Sequence, residues 1–157
     1  MSLFHQLEQL RSIMGRVVVH IFGKPKDKAI GSLVETYGQR IAKRGIKIEF
    51  YSEKLNVSEY IEKLINCKGE LLLLDESGEM IDSVSFAQKL ENWNLSSNDI
   101  NLAIGPADGW PKGEKKAPFG RISLSPMTFP HELAAVMLLE QLYRSTEIIR
   151  GSKYHRD

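Results

Sequence analysis

The chain has 157 residues, of which 42% are hydrophobic and 26% charged, with a formal net charge of +1. That supports one hydrophobic core without disulfides or a structural metal. It also excludes a polycation, so any contact with nucleic acid must rest on a local patch or a shaped pocket. The single cysteine, Cys67, excludes an intramolecular disulfide and a multi-cysteine zinc site. No run of about 18 apolar residues marks a membrane span, and a reducing, cytoplasmic setting is expected.

Residues 1–13, MSLFHQLEQLRSI, place Leu3, Leu7, Leu10 and Ile13 near helical spacing without the long apolar core of a secretory signal. They read as an appended amphipathic helix ahead of a single domain over 14–157. "RVVVHIF" from Arg16 is a short buried strand bounded by Gly23 and Pro25. Ile30, Leu33, Val34, Tyr37 and Ile41 then mark one face of a helix, and "IKIEFY" alternates as a half-exposed strand. Asn56 followed by Glu59 forms a helix start whose stripe is Val57, Tyr60, Ile61, Leu64 and Ile65. "ELLLLD" reads as a strand buried on both faces, and "ESGE" as the turn that ends it. Ser83 or Ser85 is expected to cap a helix burying Phe86, Leu90 and Trp93.

"INLAIG" is the next strand, followed by a Gly/Pro-rich loop from Gly105 to Gly120 and the short strand "RISLS". A final helix runs from about His131 to Ile149 and stops at Gly151. Strand and helix alternate throughout, which predicts an α/β fold with a largely parallel sheet and helices on both faces. Ligands of such sheets sit beyond the carboxyl ends of the strands. Here those are the turn after Leu74 and Asp75, the loop opening at Gly105, and the stretch Leu124 to Phe129.

Several chemistries lack their residues. There is no G-x-x-x-x-G-K-[ST], no G-x-G-x-x-G after a strand, and no G-x-S-x-G elbow. His5, His20, His131 and His155 show no metal spacing, so no metal is expected. "LAIGPADGW" is either a simple turn or a strand-end ligand loop. "SLSPMTFPHEL" joins hydroxyls and backbone amides to Met127 and Phe129, which suits a small ligand with one apolar face, or a loop packing its own side chains. The last helix is apolar on several sides, so it needs cover from its sheet and from a second copy of the chain. Glu140 and Arg144 stand at the spacing of a helix salt bridge. The chain closes on Tyr154, His155 and Arg156, a phenol, an imidazole and a guanidinium side by side.

The run "MTFPHELAAVMLLEQLYRSTEIIRGSKYHRD", with "LLLLDESGEMIDSVSFAQKLENW" and "INLAIGPADG" upstream, resembles the ribosomal large-subunit methyltransferase H family. The resemblance is good from Leu71 to the end, fair over "VVVHIFGK", and poor between Tyr51 and Cys67. It implies a SPOUT fold with a C-terminal trefoil knot, S-adenosylmethionine as cofactor, and N3-methylation of a pseudouridine in 23S rRNA. It also implies a homodimer through the last helix and the assembled ribosome as partner. By position, Leu74 and Gly105 flank the cofactor while Leu124, Ser125, Pro126, Met127, Thr128 and Phe129 wrap it. The resemblance further implies that the tail completes the active site at the dimer interface. Tyr154 would stack on or bond the base, and His155 would accept the N3 proton or orient the base. Arg144 and Arg156 would hold phosphate or the developing anion.

Three positions depart from the family pattern. Pro106 replaces the second glycine of Ile-Gly-Gly, which removes a donor and fixes φ. Ala135 stands where the family has an arginine, and Lys153 where it has a proline. They leave an alternative to the enzyme: a catalytically silent homologue that binds the ribosome or assists its assembly.

Overall fold

β-branched strands alternating with capped helices build one parallel sheet. The computed structural model describes residues 2–6, 15–111 and 119–156. In chain order the elements are β1 (Val17–Phe22), α1 (Lys28–Ala42), β2 (Lys47–Tyr51), α2 (Val57–Ile65), β3 (Glu70–Met80), α3 (Ser83–Leu95), β4 (Ile100–Ala103), β5 (Gly120–Ser123) and α4 (His131–Arg150). The strand order is β2-β1-β4-β3-β5, and every neighbouring pair is parallel. All four residues of β4 are buried, as a central strand covered on both faces requires.

Helices lie on both faces, as the alternation predicts. Val17, Val19, Ile21, Leu72, Leu102 and Ile122 point to the face covered by α1, α3 and α4, where Val34, Ile41, Phe86, Leu90, Leu138 and Leu142 fill the core. Leu73 and Ala103 point the other way, to a smaller cluster formed by Tyr60 and Leu64 of α2 with Trp110.

Caps fix the helix starts. Asn56 and Glu59 close the expected capping box, with bonds of 2.8 and 3.2 Å. Neither Ser83 nor Ser85 caps α3. Asp82 does, accepting the Ser85 N–H at 2.7 Å, because a carboxylate is a stronger acceptor and also meets the positive end of the helix dipole. Ser83 instead donates to Gln141 at 2.7 Å and ties α3 to α4. Gly151 ends α4 at φ 71, the left-handed stop read from the sequence.

"ESGE" does not end β3. The strand continues to Met80, and its register against β5 slips between Leu74 and Glu79. Gly78 permits this bulge, since an added Cβ would lie 2.7 Å from the carbonyl carbon of Arg121. At the N-terminus residues 3–6 are helical, with Leu3 and Phe4 exposed. Leu7, Leu10 and Ile13 of the expected amphipathic helix lie outside the described residues.

A buried polar network stitches the sheet on its α2 face. The His20 ring bonds Tyr51 Oη through Nδ1 at 2.7 Å and Asn101 Oδ1 through Nε2 at 2.8 Å. Asn101 Nδ2 is spent on the carbonyl of Lys68 at 3.0 Å, so Oδ1 must accept, and His20 is the neutral Nε2–H tautomer. Burial is the main cause that pushes its pKa below the ordinary 6.5. A histidine depressed in the folded state leaves stability intact above its unfolded value, and stability falls as pH drops below about 6.5 towards the folded value. Chemical denaturation from about pH 7 to about pH 5 is expected to show this loss, with a flatter profile in His20→Gln. Equal slopes in the two proteins would contradict the assignment.

Candidate functional site

The β3–β4 ladder ends at the pair Leu73 and Ala103. Beyond it the strands part, and their next carbonyls lose their ladder partners. Two aromatic side chains take them. Trp110 Nε1 donates to the Leu74 carbonyl at 2.9 Å, and Tyr60 Oη donates to the Ile104 carbonyl at 2.8 Å. The rings of Tyr60 and Trp110 stack, with centroids 6.1 Å apart and planes 9° from parallel. Burial drives the Tyr60 pKa up, so it stays a donor phenol.

The parted strand ends open into a cavity of about 370 Å³, within the range of small-molecule sites. Its apolar walls include Leu74, Ile104, Leu124, Met127 and Phe129. Ser125 and Thr128 add hydroxyls, and Asp75, Glu76 and Asp108 add carboxylates against one imidazole, His131. Asp75 is partly compensated by Arg121 behind it, whose Nε lies 3.9 Å from Oδ2. The irregular stretch after β5 is held by its own polar groups. Ser123 Oγ donates to the Ser125 carbonyl at 2.7 Å, and Ser125 Oγ accepts the Met127 N–H at 3.0 Å.

Gly105 needs its small size rather than an unusual backbone angle. Its φ is not positive, but an added Cβ would meet Trp110 Nε1 at 3.1 Å. Among the described residues of this loop the positive φ falls at Gly109, at 75°. Pro106 is accommodated because its carbonyl accepts the Gly109 N–H at 2.8 Å, a turn that uses no N–H from residue 106. Ala135 is only 1% exposed and packs into the core.

A second cluster forms where the tail folds back on α4. Glu140 accepts from Arg144 Nη2 at 2.6 Å and Nε at 3.0 Å, and from Tyr154 Oη at 3.1 Å. The Arg144 guanidinium lies 5.0 Å from the Tyr154 ring centroid, and its Nη1 donates to His155 Nδ1 at 3.1 Å. Arginine has no acceptor, so Nδ1 presents a lone pair and the His155 proton sits on Nε2. Burial, then the Glu140 charge, then Tyr37 push the Tyr154 pKa up, which keeps it a phenol. Glu140 raises that of Arg144. The cluster is therefore a set of hydrogen-bond donors around one anchoring carboxylate.

Of the residues singled out by sequence for the cofactor, Leu74, Gly105, Leu124, Ser125, Met127, Thr128 and Phe129 line the cavity, and Pro126 does not. The structure also brings together Arg144, Tyr154 and His155. Arg156 is exposed at the end of the tail. None of these four lines the cavity of its own chain. Sequence reasoning missed Asp75, Asp108, Trp110 and His131, and missed Glu140 as the anchor of the tail. Trp110 closes the motif "LAIGPADGW", so its position was legible though its contacts were not. Among the described residues no group of side chains is placed to hold a metal, and no helix is long and apolar enough to cross a membrane.

A parallel sheet with a strand-end cavity of this kind is that of a small α/β protein with a small-molecule site at its strand ends. The family described as "Predicted SPOUT methyltransferase" matches residues 16–155, and the chain belongs to it. It is 39% identical over 141 residues to the ribosomal RNA large subunit methyltransferase H of Coprothermobacter proteolyticus, covering 88% of this chain and 99% of that protein. The protein of the same name from Rhodopseudomonas palustris is 36% identical over 159 residues, covering 90% and 99%. That from Prochlorococcus marinus (strain MIT 9313) is 44% identical over 99 residues, covering 63% and 67%.

The cofactor of this methyltransferase is S-adenosylmethionine, and the cavity suits it. Apolar walls match an adenine face, and three carboxylates match a ligand carrying a sulfonium and an ammonium. Gly105→Val is expected to force the Trp110 indole into this space and weaken S-adenosylhomocysteine binding by about tenfold or more in calorimetry. Unchanged affinity would remove Gly105 from the site.

Proposed function

We propose that the protein methylates N3 of a pseudouridine in large-subunit rRNA, as a homodimer in which the tail of one subunit completes the cofactor cavity of the other. The observation that carries this reading is the division of the site along α4. His131 and Ala134 line the cavity at one end, while Glu140 and Arg144 hold the tail further on. The ten residues from Ala134 to Arg144 rise about 15 Å along the helix, so one chain does not bring its own two halves together. Between them α4 exposes Leu133 and Met137, 42% and 41% accessible, an apolar stripe that a two-fold partner would cover. The C-terminal knot of the family and a cytoplasmic, ribosomal setting accompany this reading. An intact cavity speaks for the enzyme over a silent ribosome binder.

Bound in the cavity, S-adenosylmethionine supplies an electrophilic methyl group. The chain's own residues deal with the other partner. Methylation at N3 replaces its proton with the methyl group, and the negative charge left by the departing proton spreads onto the flanking carbonyl oxygens. Arg144 and the Nε2–H of His155 are donors suited to those oxygens. Tyr154, whose one O–H is donated to Glu140 and whose ring is held edge-on to Tyr143 at 4.9 Å, offers a face for stacking. In this arrangement His155 assists deprotonation by stabilising the anion, with water carrying the proton away, rather than by taking the proton itself.

Mixed dimers test the reading. Gly105→Val disables the cavity and His155→Ala the tail. With the cofactor kept well below saturation, the first homodimer is expected to methylate ribosomes at least about tenfold more slowly than wild type, and the second about 100-fold. Subunits exchanged in equal amounts are expected to recover about a quarter of wild-type activity, because half the dimers then carry one intact site. No recovery after verified exchange would mean that each chain supplies its own tail.

A further inference from the structure

We infer that the C-terminal ends of α1 and α4 form a cationic face that binds the phosphate backbone of the RNA flanking the target nucleotide, with Arg40 and Lys43 as its contacts. The inference rests on the rRNA reading above and extends the site to α1, which neither the cavity nor the tail uses. Seven cations lie on these segments: Arg40, Lys43 and Arg44 from α1 and the turn after it, and Arg144, Arg150, Lys153 and Arg156 from α4 and the tail. Two carboxylates, Glu140 and Glu147, are packed among them, while the whole chain carries only +1. Cations therefore outnumber the carboxylates packed among them at this end.

These cations differ in what they have left to offer. Arg44 and Arg150 are committed to the buried Glu147, at 2.8 and 3.5 Å, and Arg144 to Glu140. Arg40 and Lys43 are exposed and form no ion pair among the described residues. Arg40 is nonetheless ordered. Its guanidinium lies 5.3 Å from the ring centroids of both Tyr37 and Tyr143, and Tyr143 meets Tyr154 of the tail at 4.9 Å. Basic residues near a helix C-terminus also complement its dipole, which accounts for their sign but not for a guanidinium fixed against two tyrosines that lead to the active tail. A stacked arginine keeps its N–H edges for a phosphate, and little side-chain entropy remains to be lost on contact.

The test compares Arg40→Gln/Lys43→Gln with Lys63→Gln/Lys68→Gln, which removes the same charge from exposed positions on and just beyond α2, across the sheet. Binding to large ribosomal subunits is measured over a series of salt concentrations, alongside S-adenosylhomocysteine affinity and melting temperature. The first variant is expected to bind about tenfold more weakly, with a log–log salt slope smaller by about 1.4 to 1.8, because each lost phosphate contact removes about 0.7 to 0.9 from it. Its cofactor affinity and melting temperature are expected to match wild type, and the second variant to bind as wild type does. Equal affinity and slope in the Arg40/Lys43 variant and wild type would overturn the surface alone. Wild type that binds S-adenosylhomocysteine but no ribosomal subunit would overturn the rRNA reading, and the surface with it.

Discussion

The cavity depends on how two strands stop. Where the β3–β4 ladder ends, the carbonyls of Leu74 and Ile104 would be left unpaired in a mostly buried place, at about 1 to 3 kcal/mol each. Trp110 and Tyr60 satisfy both and stack on each other, so the strands part without loss. The aromatic pair belongs to the α2 side of the sheet, yet it sets the shape of a pocket that opens at the strand ends. Gly105 is small because Trp110 is there. The loop after β4 tolerates Pro106 because the turn there uses its carbonyl, bonded to the Gly109 N–H, and not an N–H of residue 106.

The tail obeys a different logic. Among the described residues it has no regular structure after Gly151, and a segment of this kind is ordinarily frayed. One carboxylate, Glu140, converts it into an ordered group of donors by accepting from Arg144 and Tyr154 together. Arg144 in turn fixes the tautomer of His155. The same carboxylate keeps the guanidinium charged, and burial first and Glu140 second keep the phenol protonated, so the cluster presents no phenolate base. That suits a reaction whose difficulty is negative charge appearing on a base at neutral pH.

α4 links the two halves. It lines the cavity near its start, anchors the tail further along, and meets α1 through Tyr143 and the turn after α1 through Glu147. Its burial on the sheet side explains most of its apolar residues, and Leu133, Met137 and Ile149 are the surplus. Because cavity and tail share this helix at a fixed separation, any pairing of two chains through it also sets how the two halves of the site meet.

Much of this was legible in the amino-acid sequence. The alternation of strand and helix, the Asn56–Glu59 capping box and the Gly151 stop are local, and local patterns survive into the fold because neighbouring residues alone enforce them. The loops that make the cavity followed from the rule that parallel sheets bind ligands at their carboxyl ends, together with the resemblance carried by the C-terminal motifs. Tertiary structure decided the rest. Asp82 displaced two serines as the α3 cap, since caps compete and the serines lay one and three residues too late. β3 ran through "ESGE", because β5 lay alongside to pair with its far end. The neutrality of His20, the role of Trp110 and the anchoring of the tail by Glu140 join residues 14 to 81 positions apart. Such partners are fixed by the packing of the whole chain, and no local pattern in either segment encodes them.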